Sequence, residues 1–176
     1  MTASLAKLHA NYSHDWWTPP AWVDWVTATL GEGWTDPCPQ DWKPGDPSGL
    51  DVDWSASTYV NHPGSRGSAA LWWDKYQAEQ KRHGGQMRFA WCQFNVESLR
   101  QLRPSPFHLP GWLIWPRERT PFIWGGPDIE ATDSRAARIH GQPMTQPGNC
   151  AVWWTNCKPT RPPGECVGIR TGIRGA

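Results

Sequence analysis

The sequence predicts an α/β fold, a three-layer sandwich with helices on both faces of a central, mostly parallel sheet. Strand and helix candidates alternate from residue 20 to residue 115, which favours right-handed βαβ units. At 176 residues the chain is long enough to bury the core of one domain. Apolar segments near 111–124 and 149–155 are expected to add an antiparallel edge.

Composition limits the classes of function. The net charge is +1, so nucleic-acid binding would need local basic patches rather than a field from the whole molecule. The 15 Trp are expected to lie mostly in the core, with a few available for stacking on bases.

Cysteine usage indicates a reducing compartment. The five Cys are spread along the chain without a CxxC pair, so neither a disulfide framework nor a metal site is expected. We also identify no signal peptide and no membrane-spanning stretch in the sequence. A cytoplasmic protein is the expectation.

The first helix follows Trp16-Trp17-Thr18-Pro19. Thr18 is predicted to be the N-cap and Pro19 the first helical residue. Apolar residues then recur at helical spacing as far as Leu30, and Gly31 or Gly33 is predicted to end the helix.

A short strand at Trp34-Thr35 is predicted to end at Asp36-Pro37-Cys38, and residues 39–50 form a loop containing Asp46 and Leu50. The next strand, 57–60, leads into Asn61-His62-Pro63-Gly64. Ligands of open α/β sheets bind at the carboxyl ends of strands, and an Asn side chain can orient an amino group. The plain alternative is a Pro-Gly turn.

The following elements continue the alternation. Ser65 or Ser68 is predicted to begin a helix that closes at Gly84-Gly85, and 87–94 reads as a buried strand. Asn95 is predicted to cap a short helix through Leu102. Strands at 111–115 and 122–124 are expected to form a hairpin or a bulged pair, and 149–155 is the last strand.

Two segments are rich in basic residues. Residues 125–147 are predicted to be a long loop that is either functional or disordered. Its polar and basic side chains would supply a local patch for any nucleic-acid binding, namely Arg135, Arg138, His140 and Gln142. Residues 156–176 are rich in Pro, Gly and Arg and are predicted to be a disordered basic tail that contributes phosphate contacts.

In this order the motifs resemble those of the phage-type DNA N6-adenine methyltransferase family, which depends on S-adenosylmethionine. The resemblance covers about residues 15–155. It includes Trp16-Trp17-Thr18-Pro19, Asp36-Pro37-Cys38 and the Asn61 loop. It continues with Asp46, Leu50 and Trp54, with an Arg-containing turn at 115–122, and with a final strand after a Pro-rich stretch.

The resemblance implies a compact Rossmann-like methyltransferase domain over residues 1–155, followed by the tail 156–176. It implies that Asn61, His62, Pro63 and Gly64 form the catalytic loop, where Asn61 and the backbone carbonyl of His62 accept hydrogens from the target amino group. For S-adenosylmethionine it implies seven binding residues: Trp17, Thr18, Pro19, Asp36, Cys38, Asp46 and Leu50. No metal is implied.

The implied partner is double-stranded DNA, and the implied role is protection of phage DNA from host restriction by a monomer or weak homodimer. The loop departs from the family, since His62 replaces the first Pro and Gly64 replaces the aromatic residue that stacks on the flipped base. His62, Trp72 or Trp73 are candidates for supplying that ring.

Two alternatives stay open because of this loop. One is an enzyme that modifies another base or an altered adenine, and the other is a catalytically inactive DNA-binding homologue. A third alternative, apart from the loop, is a Trp-rich binding module without chemistry.

Overall fold

The computed structural model describes residues 16–62, 68–93, 99–100, 102–117, 121–124, 143–145 and 151–172. Its two α-helices within these ranges are α1 (Pro20–Leu30) and α2 (Ser68–Arg82). The strands are β1 (Trp16–Trp17), β2 (Ser57–Asn61), β3 (Arg88–Gln93), β4 (Gly111–Pro116), β5 (Pro121–Trp124), β6 (Pro143–Thr145), β7 (Ala151–Thr155) and β8 (Cys166–Thr171).

The main sheet has five strands in the order β2-β3-β7-β4-β8. The predicted α/β class is confirmed, but the expectation of a mostly parallel sheet is wrong. Only β2 and β3 pair in parallel, and the other three pairings are antiparallel. Helix α2 connects β2 to β3, which is the crossover that parallel neighbours need. Strand β7 then inserts antiparallel between β3 and β4.

Strand β7 lies at the centre of the sheet rather than at the predicted edge. All five of its residues are buried, as an apolar strand covered on both faces requires. Trp153 packs on one face of the sheet and Trp154 on the other, as successive residues of a strand do.

Strand β5 belongs to a second, three-stranded sheet of order β1-β5-β6. The expected pairing of β4 with β5 is therefore wrong. Strand β4 is already paired on both sides, with β7 and β8, and this leaves β5 to pair with β1 and β6.

Helix α1 begins one residue later than predicted. Its N-cap is Pro19 and its first residue is Pro20, whose missing N–H needs no partner in the first turn. The expectation of Thr18 as N-cap is wrong because the Thr18 hydroxyl hydrogen-bonds other side chains. The end at Gly31 is confirmed: its φ is 82° and its N–H donates to Thr27 O at 2.8 Å.

Buried side chains form two clusters on opposite faces of the main sheet. The α2-side cluster joins Trp72, Trp73 and Tyr76 to Phe89 and Trp153. The rings of Tyr76 and Phe89 stack with centroids 4.3 Å apart. The α1-side cluster is built from different residues: Trp22, Trp25, Val26, Leu30, Tyr59, Val152 and Trp154. Aromatic pairs of this kind add about 0.5–1.5 kcal/mol each beyond the burial of their area.

The segment 156–172 is ordered, so the prediction of a disordered tail is wrong over these residues. Strand β8 pairs with β4 along six positions, and the Trp153 indole N–H donates to Thr171 Oγ1 at 3.1 Å. The pairing satisfies the backbone groups on one side of β8, which the Pro- and Gly-rich composition alone did not suggest.

Several predictions fall outside the described residues. They concern Asn95, the Arg135–Gln142 part of the long loop, and residues 63–64 of the catalytic loop. In the described part of the chain, the four cysteines are free thiols. No helix there is both long and apolar enough to span a bilayer.

Candidate site at the carboxyl ends of the parallel strands

Three parallel backbone segments end at the same edge of the main sheet. Thr35 forms a parallel bridge to Thr58 of β2, with Thr35 N donating to Ser57 O and Tyr59 N donating to Thr35 O, both at 3.0 Å. Strand β2 is itself parallel to β3. Asp36 and Asn61 therefore lie at the ends of adjacent parallel segments, as the sequence predicted.

Thr18 connects this edge to the segment before α1. Its buried hydroxyl lies 3.1 Å from the Tyr59 hydroxyl and accepts from Asn61 Nδ2 at 3.3 Å. Its carbonyl accepts from Gln40 Nε2 at 3.2 Å. The structure thus brings together Thr18 and Asn61, two predicted site residues 43 positions apart in the chain.

Sequence reasoning missed Tyr59 and Gln40 in this network. Tyr59 lies two residues before Asn61, so both side chains lie on the same face of β2. That period of two was a usable signal for Tyr59. Nothing in the loop composition around Gln40 distinguishes it as the partner of the Thr18 carbonyl.

Asp36 is partly buried and is bonded to its own loop. Cys38 N donates to Asp36 Oδ1 at 2.7 Å. Desolvation raises the pKa of Asp36 to about 7, although this hydrogen bond opposes the rise. Burial, followed by the negative charge of Asp36, raises the pKa of the Cys38 thiol well above its ordinary value. The Cys38 thiol is therefore uncharged and lies beside the Asp36 carboxyl group, whose pKa is about 7.

The loop 48–50 packs directly over this turn. A Cβ added to Gly49 would lie 2.0 Å from Pro37 O and 2.7 Å from the Trp72 ring, so glycine is required there. Leu50 follows and packs against the α2-side cluster, which also contains Cys38. These contacts place Leu50 and Cys38 in the same part of the molecule.

Asp46 has a local structural role in the same loop. It is exposed, its Oδ2 accepts from Lys43 N at 2.8 Å, and its own N–H donates to Lys43 O at 2.9 Å. These bonds close a tight turn. The hydrogen bonds to Lys43 therefore account for the position of Asp46 without a cofactor.

His62 is buried in the core. Its Nδ1 lies 3.4 Å from Ser68 Oγ, and its ring stacks on Trp72 with centroids 6.4 Å apart and packs against Trp91 at 5.5 Å. Trp73 is also buried and stacks on Trp91. His62 packs against Trp72 and Trp91, and Trp73 packs against Trp91, so this arrangement leaves none of the three placed as a stacking surface for a base.

Trp17 and Pro19 flank Thr18 in the chain. Trp17 is partly buried and pairs with Ile123 of β5, while Pro19 is buried and is the N-cap of α1. The second sheet therefore fixes the backbone that carries Thr18.

Comparison of the chain with family models, curated proteins and solved structures gives no match. The proposed chemistry of the candidate site therefore depends on the functional groups that the site itself contains. Over the described ranges no group of three or more His, Cys, Asp or Glu is placed to hold a metal ion. The edge offers one carboxyl group at Asp36, hydroxyl groups at Thr18 and Tyr59, and one amide at Asn61.

Proposed function

We propose that the protein is an S-adenosylmethionine-dependent DNA amino-methyltransferase that acts on N6 of adenine. The observation that carries the proposal is the Thr18–Asn61 hydrogen bond, beside Asp36 at the neighbouring strand end. The hydrogen bond joins the Thr18 and Asn61 segments, and the bridge from Thr35 to β2 adds the Asp36 segment. In all three segments the sequence resembles the methyltransferase family. The expected biological role is modification of phage DNA that prevents cleavage by host restriction enzymes.

The finer fold assignment belongs to the same proposal. A three-layer, Rossmann-like arrangement is supported by the β2-α2-β3 unit and by clusters on both faces of the sheet, one containing α1 and the other α2. The antiparallel strands β7, β4 and β8 are a departure that such a fold must accommodate.

The chemistry at Asp36 fits the proposed cofactor. S-adenosylmethionine supplies a methyl group on a positively charged sulfonium and carries an ammonium group. A carboxyl group held out of water favours such a cation, because pairing offsets the desolvation of its charged form. Trp17, Thr18 and Pro19 would flank the methionine end, and Cys38 and Leu50 would supply apolar contact. Asp46 would contact the cofactor from the exposed turn that its hydrogen bonds to Lys43 close.

Asn61 is assigned to the target amino group. With Nδ2 donating to Thr18, the acceptor role toward a substrate belongs to Oδ1, and the His62 carbonyl accepts the second hydrogen. Two acceptors fix the plane of the amino group and direct the nitrogen lone pair at the methyl group. Such in-line positioning can supply roughly 7–11 kcal/mol of barrier reduction at best.

One observation favours a second candidate function: His62 packs into the core at the place where the family has proline. A loop of this kind is compatible with a different target, such as N4 of cytosine or an altered adenine, or with DNA binding without catalysis. Pro63 and Gly64, which complete that loop, lie outside the described residues.

Two measurements test the proposal. Saturating S-adenosylmethionine at 100 times its Kd should stabilise the protein by about 2.7 kcal/mol, a rise in Tm of about 5–11 °C for a domain of this size. S-adenosylhomocysteine serves as a second ligand, and ATP serves as the control nucleotide. A Tm that does not respond to either sulfur compound would contradict the cofactor assignment.

Mass spectrometry of nucleosides from DNA of cells expressing the chain then identifies the product. N6-methyladenine supports the main proposal, and another methylated base supports the alternative target. Unmodified DNA together with a cofactor-induced rise in Tm indicates the inactive DNA-binding homologue.

A further inference from the structure

The β4-β8 side of the main sheet, across the strand order from β2, carries an aromatic residue with two cations. Trp112 lies near the start of β4, and Arg170 is its register partner on β8. The Lys158 ammonium and the Arg170 guanidinium each lie 5.9 Å from the Trp112 ring centroid. These three residues are called the Trp112 patch below.

Neither cation is paired with a carboxylate. Among the described ion pairs none involves Lys158 or Arg170, and both side chains are exposed. Arg161 is a third exposed cation, three residues beyond Lys158. The Trp112 ring stabilises each exposed cation by only about 0.5–1 kcal/mol. An anionic partner would neutralise the positive charge that remains.

The loop that carries Lys158 is fixed at both ends. Asn156, at a φ of 56°, donates from Nδ2 to Gly85 O at 2.8 Å and to Met87 O at 2.9 Å. Two residues beyond Lys158, the Thr160 carbonyl accepts from Trp25 Nε1 at 3.1 Å, and Thr160 N donates to Thr29 Oγ1 at 3.1 Å. Lys158 is therefore presented from a rigid backbone, which lowers the entropy lost when it contacts a partner.

We propose that the Trp112 patch is a contact surface for the phosphate backbone of double-stranded DNA. Exposed, unpaired cations over one ring suit phosphates, and Arg170 can bind a phosphate through two N–H groups at once. The choice of DNA over other polyanions rests on the proposed function. The contact fixes the position of the duplex and carries no sequence information.

The test is fluorescence anisotropy of a labelled 20-base-pair duplex with the full chain, without S-adenosylmethionine, at several salt concentrations. The variants are Lys158→Gln, Arg170→Gln and their double variant. Lys81→Gln is the matched control, since Lys81 is an exposed lysine at the end of α2. Each patch substitution should weaken binding about 3- to 10-fold at moderate salt, and the double variant should lower the salt slope by about 1.8.

Two outcomes would overturn the inference. One is a double variant that binds the duplex as tightly, and with the same salt slope, as Lys81→Gln. The other is equal or tighter binding of the full chain to phosphatidylserine vesicles than to the duplex. Thermal melts verify that the variants fold, and Trp112→Phe, which keeps a ring under both cations, should retain most of the affinity. Because no cofactor is present, loss of patch binding is distinguishable from failure of the methyltransferase proposal.

Discussion

Burial of Asp36 raises the pKa of its carboxyl from 3.8 to about 7 in the folded protein. The folded state therefore binds this proton more tightly than the unfolded chain does. Below about pH 4 the Asp36 carboxyl is protonated in both states and does not change the free energy of unfolding. As the pH rises from 4 to 7 stability is lost, and above 7 the desolvated carboxylate destabilises the fold in full.

Asp36→Asn should therefore stabilise the protein while weakening the proposed binding of S-adenosylmethionine. The shift corresponds to at most about 4 kcal/mol, and partial exposure reduces the expected gain to roughly 1–3 kcal/mol at pH 8. The gain, measured by urea denaturation, should shrink as the pH falls toward 4. Asparagine keeps an oxygen for the Cys38 N–H, so the turn is preserved.

Calorimetry supplies the binding half of the same prediction. Loss of the carboxylate charge should weaken S-adenosylmethionine binding by about 10- to 100-fold. The neighbouring exposed Asp41 provides the control, and Asp41→Asn should change neither stability nor affinity. A destabilised Asp36→Asn protein with native affinity would mean that Asp36 is a structural residue only.

Asn61→Ala should abolish methyl transfer and leave cofactor binding intact. Asn61 is assigned to the target amino group, and an interaction realised mainly in the transition state affects turnover rather than ground-state binding. The substitution also removes the hydrogen bond to Thr18, which is expected to cost about 1 kcal/mol of stability. The readouts are methyl transfer to duplex DNA and the Tm rise with S-adenosylmethionine. Native turnover in this variant would sink the catalytic assignment.

At the scale of elements, the carboxyl end of α2 is fixed by an ion-pair network around Glu79. The buried Glu79 carboxylate lies 2.6 Å from both Lys75 Nζ and Arg82 Nη2. Arg82 also donates to the carbonyl of Trp54. Desolvation raises the pKa of Glu79, but hydrogen bonds from Lys75 and Arg82 outweigh it, and the net pKa is lowered. This stabilisation is present above about pH 4.5 and is lost as the pH falls through the folded-state pKa.

Glu79→Ala should destabilise the protein by about 3 kcal/mol at pH 7, because it leaves Lys75 and Arg82 without their shared partner. The loss should decrease as the pH falls below 4. Urea denaturation at pH 7 and pH 3.5 gives both values, and the exposed Glu32 supplies the control Glu32→Ala. Equal destabilisation at the two pH values would show that packing, and not charge, sets the effect.

Periodicity made the elements predictable but not their order in the sheet. The apolar spacing of α1 and the buried runs of β3 and β7 are local signals, and each predicted an element at the right place. The insertion of β7 between β3 and β4, and the pairing of β8 with β4, depend on contacts between distant residues. The candidate site was predictable to the same extent. The ends of the predicted strands placed Asp36 and Asn61 at a common edge, whereas the hydrogen bond from Gln40 to Thr18 depends on tertiary packing.

At the scale of the whole molecule, the proposed methylation site and the Trp112 patch lie on opposite sides of the main sheet. The site is at the carboxyl ends of β2 and of the Thr35 segment, and the patch is on β4 and β8, at the other end of the strand order. Trp112 is in register with Tyr59 through Ala90 and Trp154, so the separation runs across the strands and is roughly 14 Å for the three spacings from β2 to β4, about four base pairs of duplex. On the methyltransferase proposal, DNA that contacts both surfaces must therefore lie across the strands of the sheet.

Strand β8 makes the end of the chain part of this architecture, so deleting residues 166–176 should destabilise the whole domain. The deletion removes six paired positions on β4 and both hydrogen bonds of the Thr171 hydroxyl, one from the Trp153 indole and one to Leu109 O at 2.7 Å. Six antiparallel pairs carry about six backbone hydrogen bonds. At about 0.5–1 kcal/mol for each of these and for the two Thr171 bonds, the expected loss is roughly 4–8 kcal/mol.

The control is a truncation after Gly172, which keeps β8 and every contact of Thr171. Urea denaturation should give this variant nearly the stability of the full chain and give the longer deletion a lower midpoint. Thr171→Val separates the side chain from the strand: it should cost about 1–3 kcal/mol, because the buried Trp153 N–H loses its acceptor while the backbone pairing remains. If the deletion of 166–176 left the midpoint unchanged, β8 would contribute no stability, and 156–176 would be the separable tail that its composition first suggested.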